Sequence, residues 1–484
     1  MTKLLRNFPK QLFISERCLS SKSESHEFRN LVRVIANMPK EPKAAKELRL
    51  HRIKAKSKDA NKPRPAEITL WVLGNGSFGN PKSLYVSTDQ SRYLFNCGEG
   101  TQRLAHEHKM KLSKLEHIFF THSKWSNIGG LPGLALTIQD IGVPEICLHG
   151  SRNIEQLFEM MKGFMVMENL KLAKRNPLDT TYVDNCMQVQ YVPLFPKEAT
   201  NSSGDAKRYK VDENTAEVVA YICKPHSKPG QLQLDRCVQM GVPPGPLLGE
   251  LKNGKDIILS NGNIVKSSDV VSAEEPGPVF IVLEVPSEDY LGCLLEAPGF
   301  ESHQLTATAP EDVAKVVVHF SPSAVMEHPL YMEWIRRFPA STVHLALNEY
   351  SSPESSVAIH RAQHRLHLLN SNIFPLLKSE VQRWPPKMLS ELNVRPGETL
   401  AKFRLRPGHG LESNSAVKIE PGTYIQEAYS SPDFQERLSE LKAGMQALDS
   451  MQTVPSYPEV VFLGTASAIP GKERNVSSIL VNVK

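Results

Sequence analysis

The chain has 484 residues, 40% of them hydrophobic and 23% charged, and a formal net charge of +5. That length exceeds one ordinary core, so two units or one large unit with insertions is expected, and no apolar run approaches the roughly 20 residues of a membrane span. Seven cysteines, widely spaced and without a CxxC pair, argue for a reducing compartment and against a disulfide framework or a cysteine zinc site.

The first 25 residues alternate Lys3, Arg6, Lys10 and Arg17 with Leu4, Leu5, Phe8, Leu12, Phe13 and Ile14, and the first acid is Glu16. Basic, apolar and followed by serines, this is the composition of a mitochondrial transit peptide, with an unstructured tail as the alternative. Residues 26–65 read as a basic linker. Lys and Arg outnumber acids between Lys40 and Arg64, which suits an arm touching nucleic acid, a nuclear import signal or a solvated connection.

From Glu67 the pattern changes to strands. EITLWVLGNGSFG, SLYVSTD and RYLFNCGEG are followed by a helix over 101–109, the strand HIFF ending at Thr121 and His122, a helix over 131–138 and the strand EICLHG. Strands interleaved with helices predict an α/β domain over residues 66–400 whose loops at strand ends carry function. Residues 224–278 depart from this. KPHSKPGQLQ, GVPPGPLLG, KNGKDI and SNGNIV are dense in turn residues with few apolar anchors, which predicts a flexible, hairpin-like arm projecting from the core.

Strands return at VFIVLEV and KVVVHF, with a helix over 329–337. After FRLRP at 403–407 periodicity is lost until a helix near 433–448, so residues 401–458 read as a linker. The last stretch, from Val460, restarts the pattern of Leu70: LWVLGNGS at the front matches VVFLGTAS at the back. An internal duplication is expected, with residues 459–484 opening a second copy.

HIFFTHSKWSNIGGLPGL, residues 117–134, has the frame of a metal-hydrolase motif without its ligands. A two-metal phosphodiesterase needs several imidazole and oxygen donors converging on two cations. Where THxHxDHxxGLPG would stand, His122 remains, but Lys124, Ser126 and Asn127 occupy the other ligand positions. Lys124 would put a cation where a cation has to bind, so His122 reads as a structural histidine and no metal is expected in this chain.

With FNCGEGTQR at 95–103, this degenerate motif, the GVPPGP arm and the terminal PGKERN, the sequence resembles the amino-terminal half of a long-form tRNase Z (ribonuclease Z), from about Glu67 to Lys484. That family is a duplicated metallo-β-lactamase enzyme that removes 3′ trailers from precursor tRNA. The resemblance implies a metallo-β-lactamase αβ/βα sandwich in degenerate copy, a projecting arm, and the first strands of a second, catalytic copy. It also implies that Asn214 replaces a His ligand, that Glu284 replaces the bridging Asp, and that His319 sits where the final His ligand would be.

By the same resemblance the arm grips tRNA, through Lys228, Arg236, Gly245, Pro246, Lys252, Lys255 and Lys266, and also Lys224. Each cation there can displace counterions from phosphate. The loop of Pro470, Lys472, Arg474 and Asn475 matches the PxKxRN motif that inspects the 3′ end, with Arg474 offering a planar fork. The implied whole is a zinc-dependent tRNA 3′-processing endoribonuclease of nucleus and mitochondrion. Its zinc ligands lie beyond Lys484, and its partners are precursor tRNA and either the catalytic half or a second copy of this chain, with no membrane. The rivals are a noncatalytic tRNA-binding platform and another metallo-β-lactamase-like hydrolase.

Overall fold

The computed structural model describes residues 43–56, 64–150, 154–161, 165, 167, 169–175, 181–197, 218–260, 262–377, 383–449, 457–466 and 471–483. The transit-peptide segment, Asn214 and Pro470 lie outside them.

Two sheets lie face to face. The first begins with β1 (Ile68–Asn75), β2 (Lys82–Thr88), β3 (Arg92–Phe95), β4 (Leu115–Phe120), β5 (Glu145–Gly150) and β6 (Lys171–Arg175). The second takes β7 (Thr181–Val183), β8 (Met187–Leu194) and β9 (Val218–Pro225). After the small ribbon of β10 (Ile257–Ile258) and β11 (Ile264–Val265), it resumes with β12 (Phe280–Leu283), β13 (Val316–His319), β14 (Val343–Ala346) and β15 (Val394–Pro396). The chain then returns to the first sheet with β16 (Lys402–Arg406) and β17 (Gly410–Glu412), and ends in a separate pair, β18 (Glu459–Gly464) and β19 (Ser478–Asn482).

Both sheets follow one plan, an antiparallel meander that passes into parallel strands. β1, β2 and β3 are antiparallel and β3 to β6 parallel; β7, β8, β9 and β12 are antiparallel and β12 to β15 parallel. Parallel strands are covered on both faces, which is why Phe280–Leu283 and residues 316–318 are apolar runs buried throughout. Between the sheets Phe95, Phe119, Tyr221, Phe280, Val318 and Phe403 form one core. The helix Leu131–Asp140 covers the outside of the first sheet through Leu131, Leu134 and Ile138, and Pro329–Arg336 covers the second through Tyr331, Trp334 and Ile335.

Three sequence expectations change. Residues 402–406 belong to the domain, because β16 pairs antiparallel with β1 and is not linker. The segment after it also holds β17 and a helix, Pro421–Tyr429, whose Glu427 takes both Arg361 and Arg365. The arm is more than a hairpin with few anchors. It carries helices Leu234–Gln239, Pro246–Lys252 and Ser267–Val270, and Cys237, Val242, Leu251, Ile257, Leu259, Val265 and Val270 close into a core of their own. Apolar residues scattered between turns give no periodic signal, yet together they bury enough surface to fold the element.

The hairpins β1–β2 and β18–β19 match in detail. In the first, the register shifts between Val72 and Gly74, and Gly74 lies opposite Ser83; in the second it shifts between Phe462 and Gly464, and Gly464 lies opposite Ser478. A Cβ at either glycine would run into a backbone carbonyl, Pro81 in one and Val476 in the other. A bulge that only glycine fits therefore recurs. The connection lengthens from residues 75–82 to residues 465–477, and the longer loop is where PGKERN sits.

Candidate functional site

β4 delivers Thr121 and His122 into a loop, and the short helix Trp125–Ile128 follows. The loop is welded to the FNCGEG turn: Cys97 N–H donates to the Asn127 carbonyl at 2.7 Å and Gly130 N–H to the Cys97 carbonyl at 2.9 Å. A Cβ at Gly130 would fall inside the Gly98 carbonyl, and one at Gly98 inside the Ser126 carbonyl. These glycines permit backbone against backbone, which holds the loop and the turn together.

Glu284, at the end of β12 and only 3% exposed, is the hub. Its Oε2 accepts from the Thr121 hydroxyl and from Asn127 Nδ2, each at 2.6 Å. Its Oε1 lies 3.4 Å from Lys82 Nζ, which also donates to the Phe320 carbonyl at 2.7 Å. Asn96 Nδ2 donates to Thr121 Oγ1 at 2.8 Å and fixes the threonine from behind. His122 turns its Nδ1 to the Lys124 amide at 3.0 Å.

Two expectations are corrected here. Lys124 and Ser126 are exposed; the cation against the carboxylate comes instead from Lys82, on β2. His319 does not join the site. Val316, Val318 and Phe320 face the core between the sheets, so strand parity turns His319 to the opposite, helical face. There its Nδ1 meets the Tyr331 hydroxyl at 2.7 Å and its Nε2 meets His344 Nδ1 at 3.0 Å. Burial, and then the neighbouring His344, hold its pKa well below the usual histidine range.

A dinuclear metal site does not fit these residues. Asn127 presents hydrogens where a ligand needs lone pairs, both nitrogens of His319 are engaged elsewhere, and Glu284 is occupied by an ammonium, an amide and a hydroxyl. Lys82, Asn96 and the parity of His319 were the functional features that motif reading missed. Alternation along β13 was the available signal for the last.

On the arm, Arg236, Gly245, Pro246, Lys252, Lys255 and Lys266 are exposed and Lys228 is half-buried. Gly245 lies at φ 150° and Pro246 opens the helix after it, so the GVPPGP run shapes a tip. Lys224 is bound to Asp312 at 2.6 Å. The arm's base is clasped by Arg406, 1% exposed. Its guanidinium donates to the carbonyls of His226 on one stem and Pro276 on the other, at 3.1 and 3.2 Å, and to Pro65 at 3.1 Å. In the final loop Lys472, Arg474 and Asn475 are exposed about a turn closed by Gly471 N–H on the Arg474 carbonyl. Lys472 shares a small pocket with Asn80, Gly100, Arg103, Glu107 and Ser355.

Residues 80–130, the stretch that contains Lys82 and the Thr121 to Gly130 loop, match the family model described as tRNase Z endonuclease. Ribonuclease Z, mitochondrial, of Drosophila melanogaster is 38% identical over 443 residues, 86% of this chain and 55% of that protein. The chain is a ribonuclease Z relative. Zinc phosphodiesterase ELAC protein 2 of Homo sapiens is 32% identical over 457 residues, 87% of this chain and 55% of its own. The crystal structure of a long form RNase Z from yeast superposes with a TM-score of 0.59 at 18% identity, covering 86% of this chain and 60% of that one. The fold, two facing sheets with helices on their outer sides, is that of this long form RNase Z. The chain spans about half the length of the ribonuclease Z and zinc phosphodiesterase relatives it matches.

Proposed function

We propose that this chain is the tRNA-gripping half of an endoribonuclease that removes the 3′ trailer from precursor tRNA, and that it does not cut RNA by itself. The observation that carries the reading is the Glu284 carboxylate, closed off by Lys82, Thr121 and Asn127 in the very frame where the fold would otherwise hold metal. Relatives named ribonuclease Z and zinc phosphodiesterase supply the reaction and its zinc. Both the zinc and the attacking water then belong to the second copy of the domain.

What remains here is suited to grip. Arg236, Lys252, Lys255 and Lys266 stand on a self-folded arm held at its base by Arg406. Phosphate neutralisation by such cations follows the shape and backbone of the RNA rather than its sequence. Lys472, Arg474 and Asn475 would face the 3′ end. The exposed apolar residues of the final pair, among them Phe462, Leu463, Ile479 and Val481, would be covered by the rest of the second copy.

Mitochondria are the proposed site of action, consistent with the composition of the first 25 residues and the name of the fly relative. The nucleus is a second site, on the basic segment. Among the described residues no helix is long and apolar enough to cross a membrane.

The test is equilibrium binding of a precursor tRNA by fluorescence anisotropy, comparing the chain with a version lacking residues 228–276. Affinity that requires the arm supports the reading. Equal affinity without the arm removes it. Adding the separately produced catalytic half distinguishes a half-enzyme from a free-standing tRNA-binding platform, because only the former restores cleavage in trans.

A further inference from the structure

A second polar cluster, unrelated to the Glu284 network, lies on the inner face of the first sheet. His117 on β4 stands opposite Cys147 on β5 in parallel register, with His149 two residues further along the same face. One ligand atom from each of the three falls within 4.8 Å of the others. His117 Nδ1 and His149 Nε2 point at each other 3.0 Å apart, and His149 is fully buried.

We propose that His117, Cys147 and His149 bind a zinc ion that fastens β4 to β5. The donor set of two imidazoles and one thiolate suits that borderline-soft cation, with water from the more open His117 side as the fourth ligand. Tetrahedral bonds of about 2.0–2.1 Å place two nitrogens roughly 3.3 Å apart. The existing separation has to widen by only a few tenths of an ångström.

The surroundings are those that orient ligand imidazoles. The far nitrogen of each ring meets a tyrosine oxygen, His117 Nε2 at Tyr182 (3.0 Å) and His149 Nδ1 at Tyr191 (2.6 Å). Tyr182 passes its proton on to Asp184 Oδ2 at 3.2 Å, and Tyr93 donates to the same oxygen at 2.7 Å. Because the Tyr182 O–H is committed to Asp184, His117 Nε2 carries the proton toward Tyr182, and Nδ1 is the nitrogen left to a metal. A zinc ion there is accompanied by two negative groups, the Cys147 thiolate and the Asp184 carboxylate. They offset Arg175, whose guanidinium lies 5.8 Å from the centre of the Tyr182 ring. The cluster is packed against Tyr93, Phe119 and Tyr182 in the core, so the role is structural.

The test is titration of the chelator-treated full chain with cobalt(II), followed by zinc competition. The expected result is saturation at one equivalent, with a thiolate-to-cobalt charge-transfer band and the visible bands of four-coordinate cobalt. Cys147→Ser should abolish the charge-transfer band and His149→Gln should weaken binding at least tenfold, while His122→Gln leaves both unchanged. Zinc should raise the thermal midpoint of the wild-type chain and leave that of Cys147→Ser where it was, which separates lost binding from lost folding. Absence of saturable binding, or a spectrum indifferent to Cys147→Ser and His149→Gln, would overturn the proposal.

Discussion

Lys82 Nζ stands 3.4 Å from Glu284 Oε1 with the carboxylate side chain 4% exposed, so a lysine neutralises the buried acid at the centre of the degenerate site. Removing one partner of such a pair leaves the other charge stranded, which costs more than the pair itself contributes. Lys82→Met should therefore destabilise the chain by about 3 kcal/mol. Glu284→Gln on that background should recover most of the loss, with a coupling of about 1–3 kcal/mol in a double-mutant cycle by urea unfolding. Additive losses would mean that the ammonium and carboxylate are independent.

His319 and His344 predict a pH dependence. Burial lowers the His344 pKa to about 3, and burial with His344 holds His319 well below its ordinary value. Their folded values lie under the unfolded value of about 6.5, so below that pH the unfolded chain takes up protons the folded chain refuses, and stability falls as pH falls. Between pH 7.5 and 5.0 each histidine accounts for a loss of about 2 kcal/mol. Chemical unfolding at pH 7.5 and 5.0 should show a fall smaller by about that amount in His344→Gln. An unchanged difference would contradict the assignment.

Arg406 joins three backbone segments from a buried position. A lysine keeps the charge but cannot span those carbonyls with one planar fork. Arg406→Lys should loosen the arm, seen as faster proteolytic cleavage within residues 228–276, and weaken precursor tRNA binding about tenfold, equivalent to roughly 1.4 kcal/mol. A proteolysis pattern like the wild type would show that the arm is held by other contacts.

Much of this was legible from the chain itself. Alternation and apolar runs marked the strands from Ile68 to His319, and the repeated Leu-Gly turn marked two hairpins that each carry a bulge, at Gly74 and at Gly464. The missed features are nonlocal. Nothing around Lys82 says that its ammonium meets a carboxylate on another sheet, and nothing near Arg406 says that it is buried against the arm. The arm's core was hidden because Cys237, Leu251, Ile257 and Val270 follow no helical or strand period, and the turns between them look solvated. His319 was misplaced because a motif was weighed and strand parity was not.

The arm's cations should act on phosphate. Lys252→Ala, Lys255→Ala and Lys266→Ala should each weaken binding uniformly across different precursor tRNAs and reduce the slope of log affinity against log salt by about 1 or less. Anisotropy titrations at several salt concentrations check this. An unchanged slope in all three would place the RNA elsewhere.

The central claim is tested most directly by incubating the chain alone with a precursor tRNA bearing a 3′ trailer, with zinc or manganese supplied, and resolving the products. The account predicts bound but uncut RNA. Metal-dependent release of the trailer, lost in His122→Gln, would show that the site around Glu284 is alive.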